Sequence, residues 1–110
     1  RLAVLYTSRQ LHAAADPASS LAAGRKLMSF LTETVSRLQI QPRFVVAKGG
    51  ITSHEVARTG LGARHATVLG QIIPGVPVWR LVGSAVPYIV FPGNVGGPHS
   101  LREVVEALLS

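Results

Sequence analysis

The chain has 110 residues, of which 47 % are hydrophobic, and it contains no cysteine. These features predict one globular domain in the cytoplasm, and they exclude a disordered chain, a disulfide framework and, since no apolar run approaches roughly 20 residues, a membrane span. The formal net charge of +6 would suit a nucleic-acid partner, but the arginines are scattered and only 5 % of the residues are aromatic, so we expect no nucleic-acid binding.

The first half of the chain is predicted to contain two strands and two helices. The apolar run LAVLY, residues 2–6, is typical of a buried parallel strand. The next predicted helix starts at Asp16, an N-cap carboxylate followed by a proline, and carries apolar residues at three-and-four spacing. A second buried strand, FVVAK, ends at Lys48. In the helix that follows it, Thr52 and Glu55 have the spacing of a capping box.

The second half of the chain is predicted to contain three strands and a closing helix. ATVLGQI and VPVWRLV are strands joined by the proline–glycine turn IPGVP, and YIVF is a strand followed by the glycine-rich segment FPGNVGG. SLREVVEALL is predicted to be a helix, with Ser100 and Glu103 as a second capping box. The order of elements predicts an α/β fold: a layered domain with a mostly parallel sheet flanked by helices, with ligand loops at the carboxyl-terminal edge of the strands.

Three polar segments meet at that predicted edge: TSR after the first strand, KGGITS after the second and FPGNVGG after the last. In KGGITS, Gly49 and Gly50 would let backbone amides approach a phosphate, the helix beginning near Thr52 would add free N–H groups, and Lys48 would add charge. The same residues also fit a tight turn with a helix cap, and they lack the ending of a Walker loop and the dinucleotide fingerprint. An anion site and a purely structural junction therefore both remain open.

The remaining polar side chains give weaker signals. In FPGNVGG, Asn94 tolerates a left-handed backbone and offers an amide to a ligand, and Ser8 in TSR is a third candidate for phosphate contact. The four histidines have no metal-ligand spacing, and no serine–histidine–carboxylate triad can be assembled. We therefore expect no metal site built from side chains, and the catalytic residues stay unknown.

The ordered set TSR, KGGITS, VLGQIIPGVPVWRL and FPGNVGG resembles the C-terminal nucleotide-binding domain of the four-carbon acid sugar kinase family. The resemblance covers nearly the whole chain. It implies that residues 1–110 form a single, partial nucleotide-binding domain, the C-terminal part of a longer two-domain kinase. The implied activity is ATP-dependent phosphorylation of a four-carbon sugar acid such as threonate, erythronate or 3-oxo-tetronate, with Mg²⁺ inferred from the reaction class.

The resemblance also implies ATP contacts in two segments. The residues concerned are Gly49, Gly50, Ile51 and Thr52 in the first segment and Gly93 and Asn94 in the second. Ser8 is a weaker candidate for a nucleotide contact. Better-studied kinases of the family often carry an acidic residue at the position of Ile51, and an apolar side chain there cannot bind a magnesium ion or its waters. Metal handling in this chain is therefore expected to differ from the family pattern.

The implied partners are ATP or ADP and the N-terminal substrate-binding domain of the same protein. Because that domain is not part of the sequence, we expect these 110 residues to be inactive alone, and a homo-oligomer is left open. The alternative function is a non-catalytic module that binds a nucleotide or a sugar phosphate and is fused to another enzyme. A structural or oligomerisation domain is a third class.

Overall fold

The computed structural model describes residues 2–6 and 17–110. This part of the chain forms helices and strands in the order α1 (Pro17–Ser36), β1 (Val45–Lys48), α2 (Gly50–Glu55), β2 (Ala66–Ile73), β3 (Val76–Leu81), β4 (Pro87–Phe91) and α3 (Ser100–Leu109). A π-helical stretch, Val56–Gly60, continues α2 without a break. None of the helices in the described ranges is both long enough and apolar enough to cross a membrane.

The four strands form one mixed sheet in the order β1-β4-β3-β2. β1 and β4 are parallel, whereas β3 is antiparallel to both β4 and β2. The α/β class is confirmed, but the prediction of a mostly parallel sheet is wrong. The connections explain the difference, because β2 and β3 are joined by Pro74 and Gly75 alone and β3 and β4 by residues 82–86, while parallel neighbours need a crossover of about a dozen residues.

The predicted first strand is also wrong. Residues 2–6 belong to no strand, and all of them are exposed, with Tyr6 81 % accessible. An apolar run has the propensity for a strand, but a strand also needs a neighbour that supplies hydrogen bonds. None of the described strands pairs with this segment.

The sheet buries a hydrophobic cluster on each face. α2 and the π-helical stretch cover the first cluster, formed by Ala47, Val56, Ala57, Leu81 and Tyr88. α3 covers the second cluster, formed by Val76, Ile89, Phe91 and Val104. The central strand β4 serves both clusters because successive side chains of a strand point to opposite faces, with Tyr88 on one and Ile89 on the other. The result is a three-layer arrangement of helix, sheet and helix.

Helix α1 is confirmed, although only its second half packs against the rest of the domain. The half-buried residues of its predicted apolar face are Met28, Leu31 and Val35. A Cβ on Gly60 would lie 3.2 Å from the Cβ of Val35, so the glycine permits a close approach of α1 to the π-helical stretch. Leu21, on the same predicted face, is 57 % exposed. The proposed N-cap, Asp16, lies outside the described residues.

Candidate functional site

The two glycine-rich segments leave the sheet side by side. β1 and β4 are parallel neighbours, and their register pairs Lys48 with Phe91, the last residue of each strand. Directly beyond this pair, the N–H of Gly49 donates to the carbonyl oxygen of Phe91 at 2.7 Å. KGGITS and FPGNVGG therefore meet at one edge of the sheet. Ser8 and the rest of the TSR segment lie outside the described residues.

Gly49 makes the turn from β1 into α2. Its φ of 101° lies in the left-handed region, which favours glycine, and it occupies the N-cap position of α2 without a side-chain cap. The predicted capping box is therefore wrong. Thr52 lies inside the helix rather than at its cap, and the carboxylate of Glu55 accepts a hydrogen bond from the hydroxyl of Thr59 at 3.1 Å.

Ser53 anchors this junction from the interior. Its side chain is buried, and its hydroxyl oxygen lies 2.6 Å from the carbonyl oxygen of Gly49 and 3.0 Å from that of Ala47. The phenol of Tyr88, also buried, donates to the carbonyl oxygen of Ser53 at 2.6 Å. Burial raises the pKa of the Tyr88 phenol above its usual range. The Ser53 hydroxyl of KGGITS is thus structural, because it ties α2 to the end of β1, while the Ser53 backbone carbonyl ties α2 to β4.

The first turn of α2 presents backbone donors without intrahelical acceptors. The first intrahelical hydrogen bond of α2 runs from the N–H of Ser53 to the carbonyl oxygen of Gly49 at 2.9 Å. The preceding N–H groups of Gly50, Ile51 and Thr52 therefore have no helical partner. A Cβ on Gly50 would meet no atom of the described residues within 4 Å, so these residues leave the space beside Gly50 open. This geometry suits an anionic group.

The side chains around these donors differ in what they offer an anion. Ile51 is 77 % exposed and contributes an apolar surface. Thr52 is half-buried, and its hydroxyl makes no hydrogen bond to another described residue. The ammonium of Lys48 lies 5.4 Å from the centroid of the Phe91 ring, a cation–π distance. The lysine charge is therefore held at the base of the second glycine segment.

In that second segment, Gly93 and Asn94 are exposed directly after β4. A Cβ on Gly93 would meet no atom within 4 Å, so this position is as open as that of Gly50. The N–H of Val95 donates to the carbonyl oxygen of Pro92 at 3.4 Å and closes a turn around the two residues. The segment thus presents an exposed backbone and an amide side chain beside the α2 donors.

A serine at the start of α3 fixes the far end of the second segment. The N–H of Gly97 donates to the hydroxyl oxygen of Ser100 at 2.7 Å. Gly96 has a φ of 85°, and a Cβ at this residue would clash with the Ser100 side chain. The second predicted capping box is wrong, because the N-cap of α3 is His99, without a side-chain cap, and Ser100 is already helical.

The β2–β3 turn packs against the second segment, which the sequence does not reveal. The side-chain carbonyl of Gln71 accepts a hydrogen bond from the N–H of Gly75 at 2.8 Å and orders the turn. A Cβ on Gly75 would lie 3.0 Å from a methyl carbon of Val95. The proline–glycine pair signalled the turn, but no sequence pattern signalled its contact with Val95.

The described residues contain no cluster of carboxylate or histidine side chains typical of a metal site. Mg²⁺ prefers oxygen ligands and is commonly held by carboxylates. The described part of the chain contains no group of three potential metal-ligating side chains, and neither KGGITS nor FPGNVGG contains a carboxylate. These two segments therefore provide no carboxylate ligand for Mg²⁺.

Comparison with known families identifies the chain as a nucleotide-binding domain. The chain matches the family model described as "Nucleotide-binding C-terminal domain" over residues 1–101. It belongs to this family. The nucleotide-binding C-terminal domain is a domain of the four-carbon acid sugar kinase family, so the resemblance is confirmed at the level of the domain. No curated protein and no solved structure matches the chain significantly.

Proposed function

We propose that this nucleotide-binding domain binds ATP at the meeting point of its two glycine-rich segments. The observation that carries the proposal is the hydrogen bond from Gly49 to Phe91, which joins the segments beside the α2 N–H groups that have no intrahelical acceptor. Helix N–H groups without acceptors, together with glycines that leave room for a ligand, are typical of phosphate sites. Membership in the family supports a nucleotide as the ligand.

Each residue of the site has a distinct role in this proposal. The N–H groups of Gly50, Ile51 and Thr52 donate to phosphate oxygens, and the hydroxyl of Thr52 adds a further donor. Gly93 and Asn94 contact the nucleotide from the second segment. Two further groups complete the proposed contacts: the Lys48 ammonium, which offsets phosphate charge, and the Ser8 hydroxyl.

We further propose that the domain is part of a kinase for a four-carbon sugar acid of the threonate, erythronate or 3-oxo-tetronate type. Phosphoryl transfer needs an aligned γ-phosphate and neutralised charge, and backbone donors and a lysine can supply both. The two segments contain no carboxylate that could orient the attacking hydroxyl. We therefore assign substrate binding and that orienting role to an N-terminal domain of the same polypeptide.

A substitution at Gly50 tests the nucleotide site directly. In Gly50→Val the added isopropyl group enters the space in front of the α2 donors, so we expect ATP affinity to fall at least about tenfold, measured by calorimetric titration. Gly24→Val is the matched control, because Gly24 is also helical and a Cβ there also meets no atom within 4 Å. Equal ATP affinity in wild type and Gly50→Val, with both folded, would contradict the proposed phosphate site.

The second candidate function is nucleotide binding without phosphoryl transfer. The observation that favours it is the exposed, apolar Ile51 within a site that lacks carboxylates. An ATP-consumption assay of the full-length protein with each of the three sugar acids separates the two functions. Turnover with one of them supports the kinase, and bound ATP without turnover on any of them supports the binding module.

A further inference from the structure

A cationic groove lies at the other end of the sheet. His54, Arg58, Arg64 and His65 line its sides, and Trp79 and Leu81 lie in its floor. Its volume is about 970 Å³. Because β3 runs antiparallel to β4 and ends at Leu81, this part of the sheet faces away from the edge that carries the glycine segments.

The positive charges of the groove are not neutralised within the described part of the chain. All four basic side chains are exposed, and neither Arg58 nor Arg64 forms a salt bridge with another described residue. The two described salt bridges instead involve Arg37 and Arg102, each with a glutamate one helical turn away. The groove therefore concentrates unneutralised charge on a chain whose formal net charge is already +6.

The floor of the groove is apolar and extends onto β2. Trp79 is only half-buried, and its ring is supported from within the domain by the Tyr88 ring, with centroids 6.4 Å apart. Val68 lies opposite Trp79 in the β2–β3 pairing and is 63 % exposed. An apolar centre with tryptophan, surrounded by arginine, has the composition of residues that contribute most to protein–protein binding.

Charge and position limit what can occupy this surface. A second copy of the chain is disfavoured because it carries the same net charge of +6. A substrate-bearing domain has to reach the edge where β1 and β4 end, whereas Ala66 and Leu81 of the groove lie at the opposite edge of the sheet. Nucleic acid is disfavoured because, among the described residues that line the groove, Trp79 is the one phenylalanine, tyrosine or tryptophan.

We propose that the cationic groove is a docking surface for the acidic surface of a separate protein chain. Carboxylates of that chain pair with Arg58 and Arg64, and an apolar side chain packs on Trp79. Such pairing contributes to the rate and specificity of association and weakens as the salt concentration rises.

Trp79 is the only tryptophan of the chain, so its fluorescence reports on the groove alone. The probe is a short peptide of glutamate and leucine without aromatic residues, titrated into the intact chain. We expect a saturable change in Trp79 emission that weakens with added sodium chloride. The same peptide with glutamine in place of glutamate should cause no change. An unchanged emission with the acidic peptide would overturn the proposal.

Two double variants test whether the location of the charge matters. Arg58→Gln with Arg64→Gln removes two positive charges from the groove, and Lys26→Gln with Arg43→Gln removes two from exposed positions elsewhere. We expect peptide affinity to fall about tenfold in the first variant and to change little in the second. Equal losses in both variants would overturn the proposal, since they would indicate attraction to net charge alone.

Competing anions complete the test. ATP and a thymidine oligonucleotide are titrated under the same salt conditions while Trp79 emission is followed. Weaker effects than those of the acidic peptide support a polypeptide partner. If ATP or the oligonucleotide binds at Trp79 more tightly than the acidic peptide does, the proposal of a polypeptide partner is overturned in favour of a nucleotide or a nucleic acid. Circular dichroism of each variant confirms that it is folded.

Discussion

The two glycine-rich segments have similar compositions but are held in different ways. The first segment is fixed from the interior, where the buried Ser53 hydroxyl bonds to the carbonyl oxygen of Gly49 and the buried Tyr88 phenol to that of Ser53. The second is fixed at the surface, through the hydrogen bond between Gly97 and Ser100 and the contact of Gly75 with Val95. A buried hydrogen bond is costlier to lose than an exposed one. We therefore expect the first segment to be the rigid side of the site and the second to be the adaptable side.

The largest effect is expected from Gly49→Ala in the first segment. A residue with a Cβ is strained at a φ of 101°, so the free energy of unfolding should fall by roughly 1–3 kcal/mol in urea titrations. Gly50→Ala is the matched control, because Gly50 is helical and unobstructed, and its stability should be unchanged or slightly higher. Equal stability of Gly49→Ala and wild type would show that the turn into α2 does not need glycine.

A smaller loss is expected from Tyr88→Phe. This substitution leaves the carbonyl oxygen of Ser53 without the phenol donor, and we expect a loss of about 1–2 kcal/mol at neutral pH. Tyr6→Phe serves as the control because Tyr6 is 81 % exposed, and this substitution should leave the free energy of unfolding unchanged. A loss that is the same in both variants would contradict the anchoring role of Tyr88.

The stability difference between wild type and Tyr88→Phe should depend on pH in a defined direction. Burial raises the pKa of the Tyr88 phenol, so the folded chain retains a proton that the unfolded chain releases above about pH 10. The stability that Tyr88 contributes is therefore complete below that pH and is lost as the pH rises further. Above about pH 10, wild type should lose stability more steeply than Tyr88→Phe. Parallel curves would contradict this account.

The smallest effect is expected from Ser100→Ala in the second segment. The lost hydrogen bond from Gly97 is exposed, so the stability should fall by about 0.5 kcal/mol, while the amide shifts of Gly93 and Asn94 change. Ser36→Ala is the control, because it removes an exposed serine hydrogen bond to the backbone far from the site. If Ser100→Ala destabilised the chain more than Tyr88→Phe, the expectation that the first segment is held more rigidly than the second would be wrong.

The sequence predicted most elements but not how all of them are arranged. The strands FVVAK and YIVF and the closing helix are confirmed, because their apolar patterns match the faces that the sheet and α3 bury. The number of parallel strands was overestimated because the spacing of apolar residues does not indicate the direction of a strand. The two-residue turn at Pro74 and Gly75 does indicate an antiparallel pair, since parallel strands need a longer connection. Residues 2–6 have the composition of a strand but no paired neighbour among the described strands.

The meeting of KGGITS and FPGNVGG at one edge of the sheet was predicted, but the contacts that hold the two segments were not. The glycines in KGGITS and FPGNVGG marked the two segments, and the parallel pairing of β1 with β4 brings them together. Both capping boxes were wrong because the spacing of a serine or threonine and a glutamate does not fix where a helix begins. Gln71 and Val95 could not be found from sequence, since their role depends on a contact between two distant turns.

The most direct test of the nucleotide site is a titration of the isotope-labelled chain with ATP, followed through backbone amide shifts. We expect saturable shifts at the α2 donors Gly50, Ile51 and Thr52, together with shifts at Gly93 and Asn94. Shifts confined to the cationic groove, or unchanged amides at both glycine segments in a folded chain at millimolar ATP, would contradict the proposed nucleotide site.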